Sequence, residues 1–417
     1  MHLPLFLAHK FFLSRENKKK RASTPAIHIA TAGIAVGLTV MLLAVFIVRG
    51  FKNEISGKVT DFAADIEIIN PYYFASPEGF PVVTDTALIE KISQVNGIAH
   101  IQRFTEKVGI LKTDEEFQAV SFKGVAEDYD TTPIAKYIIN GQMPKFSGDK
   151  TLGKLVISKM QSDLLSLKVG DKVYAYFFED AVKMRRFEVA AVYQTNMKQF
   201  DKTFVWTDMA TVRQLNSWKQ NQSSGLEIRL RDFSLLDNAT NHLKDMVEEK
   251  KDEYGSAYGV INIKQNPRTS GIFNWLSLLD MNIWVILILV LAVAGFSMIS
   301  GLLILILERT NTIGILKALG STNAKIRSTF LYYAMFIILR GLLIGNVLSL
   351  LLVFIQQKYK VIPLNPETYY MDSVPVQFDP WIWLAINVAT LLFTLMALIL
   401  PSYLVSRVQP AKAIKFD

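Results

Sequence analysis

Four segments of this 417-residue chain are long and apolar enough to cross a lipid bilayer, and no other feature limits its fold as much. Lipid offers no hydrogen-bond partner to a backbone amide, so a spanning segment must be a helix of about 20 apolar residues. The first is Ala26–Val48, "AIHIATAGIAVGLTVMLLAVFIV", and the second Met281–Leu307, "MNIWVILILVLAVAGFSMISGLLILIL", which is free of charge throughout. The third, Ser328–Gln356, carries a single charge, Arg340, and the fourth is Trp381–Leu404. The first segment outruns the roughly 7–15 apolar residues of a cleaved leader. No small-x-small site follows it before "RGFKNEI", so it is read as a retained span.

Lysine and arginine collect in the short cytoplasmic flanks of spans. Residues 1–25 hold Lys10, Arg15, Lys18, Lys19, Lys20 and Arg21 against Glu16. The 308–327 connector holds Arg309, Lys317, Lys325 and Arg327 against Glu308, and the 405–417 tail holds Arg407, Lys412 and Lys415 against Asp417. The 357–379 loop reverses the balance, with Lys358 and Lys360 against Glu367, Asp372 and Asp379. Both termini and the connector are therefore expected in the cytoplasm, with residues 49–278 forming one large outer domain. The net charge of +8 follows from this topology, and nucleic-acid binding is not expected. A chain 51% hydrophobic yet 20% charged fits spans joined to a water-soluble domain. The absence of cysteine excludes disulfides, thiolate metal sites and cysteine nucleophiles.

The outer domain alternates strand-like and helix-like pieces, so the expected fold class is four transmembrane α-helices plus a large α+β domain between helices 1 and 2. Strands are expected at 65–69, 107–111, 119–124, 185–195, 203–206 and 225–232. "TDTALIEKISQVNG" (84–97), "TDMATVRQLNSW" (207–218) and "SLLDNATNHLKDMVEEKKDEYG" (234–255) read as helices, and 158–178 as helix, Gly-Asp turn and strand. The pairs Glu115–Glu116 and Glu248–Glu249 read as solvated charge. Five histidines, His2, His9, His28, His100 and His242, stand too far apart for metal-ligand spacing, and no nucleophile elbow, zincin or phosphate-loop motif occurs. The chain is expected to be non-catalytic and free of metal; if it moves anything actively, another chain binds the nucleotide.

The connector "ERTNTIGILKALGST" is unusual because five of the seven residues Ile313–Leu319 are aliphatic. A cytoplasmic helix apolar nearly all round must bury that surface. Two uses remain open: Ile313, Ile315 and Leu319 lie against the membrane surface, or a separate cytoplasmic partner covers the helix.

"ERTNTIGILKALGSTNAKIRSTFL" resembles the cytoplasmic coupling segment of FtsX/MacB-type ABC permeases. "YYMDSVPVQFDPWIW…LILPSYLVSRVQPAKAIKFD", "GIAVGLTVMLLAVFIVRGFKNEISGKV" and "FEVAAVYQTNMKQFDKTFVWTDMATVRQL" are similar to stretches of the LolC/LolE-type lipoprotein-releasing permeases. That resemblance covers all four spans and parts of the outer domain, which it makes periplasmic. It implies an inner-membrane permease that extracts lipoproteins, with a separate ABC ATPase dimer (LolD-like) docked on Asn311, Ile313, Leu316, Lys317, Leu319 and Gly320. ATP-Mg would sit in that ATPase and no cofactor in this chain. A second permease copy or paralogue, the lipoprotein substrate and a periplasmic carrier (LolA-like) are the other implied partners. Acyl chains would enter between spans one and two of facing subunits, along the face of Gly33, Gly37, Met41 and Val45. The Gly33-x-x-x-Gly37 spacing equally suits packing within one chain. Span one would continue as a helix through Arg49–Val59 and act as a lever.

Two departures stand out. Asn311–Thr312 replace a charged pair common in the family, leaving docking to apolar contact. The link "FFEDAVKMRRF" is too short for a long carrier-recruiting hook. Arg340, deep in span three, is expected to face a bundle interior or a headgroup, with Asn346 and Asn387 as polar candidates beside it. A signalling permease that controls a cell-wall hydrolase, and an exporter of peptides or antimicrobials, are the alternative functions of this architecture.

Overall fold

A computed structural model describes residues 3–13, 23–75, 80–146, 152–178, 181–247 and 250–403. The basic run 15–21, the pair 248–249 and the Pro-Ala tail lie outside the described residues. The chain divides into two units: Met1–Asn53 with Leu276–Pro363 and Ser373–Asp417, and Glu54–Trp275 with Leu364–Asp372.

The expected spans lie on four helices, Ser23–Phe62, Ser270–Glu308, Asn323–Tyr359 and Pro380–Ser402. Each is long and apolar enough to cross a membrane. The first runs unbroken for 40 residues, well beyond the apolar stretch, and so includes Arg49–Val59. Helix Asn323–Tyr359 starts on Thr322, whose hydroxyl accepts from the Lys325 amide; helix Pro380–Ser402 starts on Asp379, which accepts from the Trp381 and Ile382 amides. Small residues bring the third helix onto the first. A Cβ on Gly341 would meet Ile34 at 2.9 Å, and one on Gly345 the Ala35 carbonyl oxygen at 2.8 Å. The Thr39 hydroxyl donates to the Ala35 and Gly345 carbonyls, at 2.8 and 3.1 Å. Outer helix ends are tied by ion pairs, Arg49 to Asp379 at 2.8 Å and Lys52 to Asp280 at 2.5 Å. One helix was not anticipated: Leu3–Leu13 lies in the N-terminal segment, with Ala8 buried in the bundle core and the His9 ring edge-on to Phe336.

The second unit is α+β. Its strands among the described residues are β1 (Ile66–Ile69), β2 (Val82–Val83), β3 (Ile98–Lys112), β4 (Phe117–Val125), β5 (Ile138–Gly141) and β6 (Lys154–Ser158). They continue with β7 (Lys172–Phe178), β8 (Val182–Tyr193), β9 (Phe204–Asp208), β10 (Gln222–Ser223), β11 (Gly225–Leu230) and β12 (Gly259–Asn262). Ten of them form one sheet, nine in the order β12-β1-β11-β3-β4-β9-β6-β8-β5 with β7 off that path, and β2 pairs with β10. Strand β7 pairs with both β8 and β3, so β3, β4, β9, β6, β8 and β7 close on themselves. Closure removes exposed strand edges and encloses a core that includes Leu111, Phe122, Ile157, Ala175, Phe177, Phe187, Val189 and Val205.

Strand β3 is far longer than the expected 107–111, because its first half pairs with β11 and its second with β4. Buried Gln102, Glu106 and Lys107 break the apolar alternation that would have marked it. The expected helix 234–255 is corrected to Leu236–Val247. Beyond it the Asp252 carboxylate accepts from the Tyr254 and Ser256 amides, and Gly255 takes φ +84°, a turn that ends any helix.

Candidate functional site

The connector forms the helix Thr310–Ala318. It is set off from the second span at Arg309, whose backbone (φ −95°, ψ 13°) leaves the helical region, while the Thr310 hydroxyl donates to the Leu307 carbonyl at 2.6 Å. Its other end stops at Gly320, where φ is +85° and open space surrounds the α-carbon, a left-handed stop that glycine makes without strain.

The faces of this short helix differ sharply. Ile313 is 0% exposed and belongs to the bundle core, and Leu316 is half-buried against that core. Ile315 is 47% and Leu319 78% exposed. Asn311 is exposed too, and these three stand at i, i+4 and i+8 on one face. Ile313, expected in the docking set, turns its side chain into its own bundle. Ile315 takes its place in the outward stripe, between Asn311 and Leu319. Lys317 is half-buried and Gly320 exposed. Next to the connector, the Arg327 guanidinium lies 4.2 Å from the centre of the Tyr403 ring.

On the first span, Gly33, Gly37, Met41 and Val45 share one face, which the second span fills. A Cβ on Gly33 would meet Ser297 at 3.2 Å, and one on Gly37 would meet Val290 at 3.4 Å. Met41 and Val45 are buried in the same core. The expected substrate or subunit face is thus packed within the chain in this conformation; Ile29, Val36 and Val40 are exposed instead. A tighter contact than at Gly33 or Gly37 falls at Gly341-x-x-x-Gly345, a spacing as readable in the sequence as Gly33-x-x-x-Gly37.

Arg340 does not face the bundle interior. It is exposed between the exposed Leu339 and Leu343. Asn346 and Asn387, expected near it, bond to each other at 2.7 Å, and the Trp383 indole N–H donates to Asn346 Oδ1 at 2.7 Å. Their amides are satisfied by one another across spans three and four.

The outer domain holds a feature the sequence did not announce: charged side chains buried in the middle of its sheet. Glu67, Glu106, Lys123 and Glu227 are all buried, and the Arg268 guanidinium bonds both Glu106 carboxylate oxygens, at 3.1 and 3.0 Å. Among the described residues no group of three or more His, Cys, Asp or Glu side chains is placed to hold a metal ion.

The model of the MacB-like periplasmic core domain matches residues 28–246, and that of the FtsX-like permease C-terminal domain matches residues 284–410. The first spans more than half of the chain, and the protein belongs to the FtsX/MacB-type permeases: a non-catalytic ABC transporter subunit with a periplasmic α+β domain between its first two membrane helices. Permeases of this class work with an ATPase.

Within the class its likeness is to permeases of the LolC/LolE type. It is 23% identical to the lipoprotein-releasing system transmembrane protein LolE of Haemophilus influenzae, over 97% of this chain and 98% of that protein. It is 24% identical to the lipoprotein-releasing system transmembrane protein LolC of Neisseria meningitidis serogroup B, over 93% and 94% respectively. The crystal structure of the periplasmic region of MacB from Actinobacillus actinomycetemcomitans aligns with a TM-score of 0.34 at 13% identity, covering 51% of this chain and 92% of that one.

Proposed function

We propose that this permease draws lipid-anchored proteins out of the bacterial inner membrane for delivery towards the outer membrane, driven by a separate ATPase. The likeness to lipoprotein-releasing permeases along nearly the whole chain carries this reading. Exposing an acyl chain to water costs about 0.8 kcal/mol per CH₂, so extraction without an energy source stalls. ATP-Mg sits in the ATPase dimer, and this chain needs no cofactor. The dimer grips the connector from the cytoplasm, where both termini also lie, through Asn311, Ile315 and Leu319, with Leu316, Lys317 and Gly320 shaping the contact. The unbroken helices Ser23–Phe62 and Ser270–Glu308 then serve as levers between the membrane and the outer domain.

A second permease, identical or paralogous, faces this one, and Arg340 on the exposed side of span three lies at a surface that it or a lipid headgroup covers. A periplasmic carrier receives the cargo. Strands β7 and β8 stay paired as far as Phe178 opposite Val182, leaving only three residues between them, so we assign carrier recruitment to the facing permease.

The test is purification of the tagged chain with its partners, reconstitution in proteoliposomes and an assay of ATP-dependent lipoprotein release to a soluble carrier. Release that requires ATP and this chain is the expected result. Capture of a cell-wall hydrolase by the outer domain, or export of a peptide with no lipoprotein released, would replace this reading with one of the alternatives.

A further inference from the structure

The buried charges of the outer domain surround the points where its two connecting helices meet the sheet. Helix Ser23–Phe62 ends three residues before Asp65-Ile66-Glu67. Its last carbonyls are held by Arg229, whose guanidinium donates to the Thr60 and Asp61 oxygens. Lys136 and the Tyr137 hydroxyl hold the Asp61 carboxylate, each at 2.7 Å. Helix Ser270–Glu308 begins two residues after Arg268. Arg268 Nη1 donates to both Glu106 carboxylate oxygens, and the guanidinium lies over the rings of Tyr73, Phe74 and Phe204 at 5.6, 5.7 and 5.3 Å.

Between these anchors sit Glu67 and Glu227. They are direct cross-strand partners in the β1–β11 pairing, and both are buried. Like charges directly opposed in a sheet repel, and two buried carboxylates without enough counter-charge cannot both ionise. The donors are shared unequally. Glu227 takes the ammonium of Lys123 and, at 2.8 Å, the amide of Gln102. Among the described residues Glu67 has only the neutral Asn266 amide, at 3.1 Å. The other charges around it are spoken for: Arg268 by Glu106 and Arg229 by the helix end. Tyr129 completes the cluster above Lys123, whose ammonium lies 5.5 Å from its ring centre. A cavity of about 20 Å³, lined in part by Glu67, Glu227, Asn266 and Arg268, has room for one water molecule.

We propose that Glu67 carries a proton in the resting protein, and that losing it is a switch which loosens the joint fixing both connecting helices to the sheet. Protonated, Glu67 leaves two carboxylates, Glu106 and Glu227, balanced by two cations, Arg268 and Lys123. Ionised, it adds a charge that neither anchor meets, since Arg268 bonds Glu106 and Arg229 bonds the helix end. Burial, then the Glu227 charge, pushes the Glu67 carboxyl up to about 7, within the range an outward-facing domain meets. Burial also works against ionisation of Glu227, but the charge and hydrogen bond of Lys123 outweigh it and hold that group below its usual value. The folded chain therefore keeps a proton that the unfolded chain has lost. This contribution to stability is full below about pH 4.5, falls as pH rises, and is gone above about pH 7. Across that window the unfolding equilibrium of the outer domain shifts on the order of 100-fold toward the unfolded state. The switch is independent of the cargo.

The experiment is an infrared titration of the full-length chain in nanodiscs, paired with thermal unfolding of its outer domain at each pH. At pH 6 a protonated-carboxyl band is expected in the wild type and not in Glu67→Gln, and the variant should lose the fall in stability between pH 4.5 and 7. Glu227→Gln frees Lys123 for Glu67, so the band should disappear at a lower pH. A wild type with no such band at pH 6, or a band and pH profile unchanged in Glu67→Gln, overturns the proposal. The wild-type titration decides this even where a variant fails to fold.

Discussion

In the membrane unit, helices meet through absent side chains; in the outer domain, they meet through side chains that carry charge. Span three reaches span one because Gly341 and Gly345 present no Cβ to Ile34 and to the Ala35 carbonyl. Helices 23–62 and 270–308 are instead held to the sheet by Arg229 and Arg268. The solvent explains the contrast. Lipid is as apolar as leucine, so helices there gain little from hiding aliphatic surface and gain by approaching closely. In water the hydrophobic effect already drives the closed barrel together around Phe122, Phe177 and Phe187. Buried charges are then free to fix one geometry, and removing one partner is costly.

This contrast orders the effects of substitution. Lys123→Leu leaves the Glu227 carboxylate buried without the ammonium it bonds and should destabilise the outer domain by about 3–5 kcal/mol, read as the loss of its unfolding transition at ambient temperature. Gly345→Val drives new atoms into the first span's backbone and should cost about 1–3 kcal/mol in detergent unfolding. A valine accepted there without loss would break the small-residue side of the comparison. Asn346→Leu leaves the Trp383 indole and the Asn387 amide without their partner, and about 1 kcal/mol is expected. Lys52→Ala removes a partly exposed ion pair and should change stability by less than about 1 kcal/mol. An effect larger than that of Asn346→Leu would mean that surface charge holds the bundle.

Much of this was legible in the sequence, and what was not shares one cause. The spans were readable because lipid forbids alternatives: a long run with no charge but Arg340 has few other places to be. Strands such as Ile66–Ile69 and Gly225–Leu230 carried their β-branched residues openly. The outward face of the connector was not readable. Ile313 and Ile315 are the same residue type two positions apart, and only the direction of the bundle makes one buried and the other exposed. Glu67 read as the polar residue of a short strand, and its burial follows from β1 lying between β11 and β12. Gly33 and Gly341 begin identical spacings, and the sequence did not say which neighbour each would meet. In each case the residue's chemistry was visible and its partner was not.

The central claim is that the exposed stripe of the connector is greasy because a nucleotide-hydrolysing partner covers it. The chain has no cysteine, so single cysteines can be placed at Ile313, Ile315 and Leu319 without background. Cross-linking in native membranes should capture the ATPase from positions 315 and 319 and not from the buried position 313. If neither exposed position captures an ATPase, or if both react with a reagent confined to the outer side of the membrane, the account is wrong.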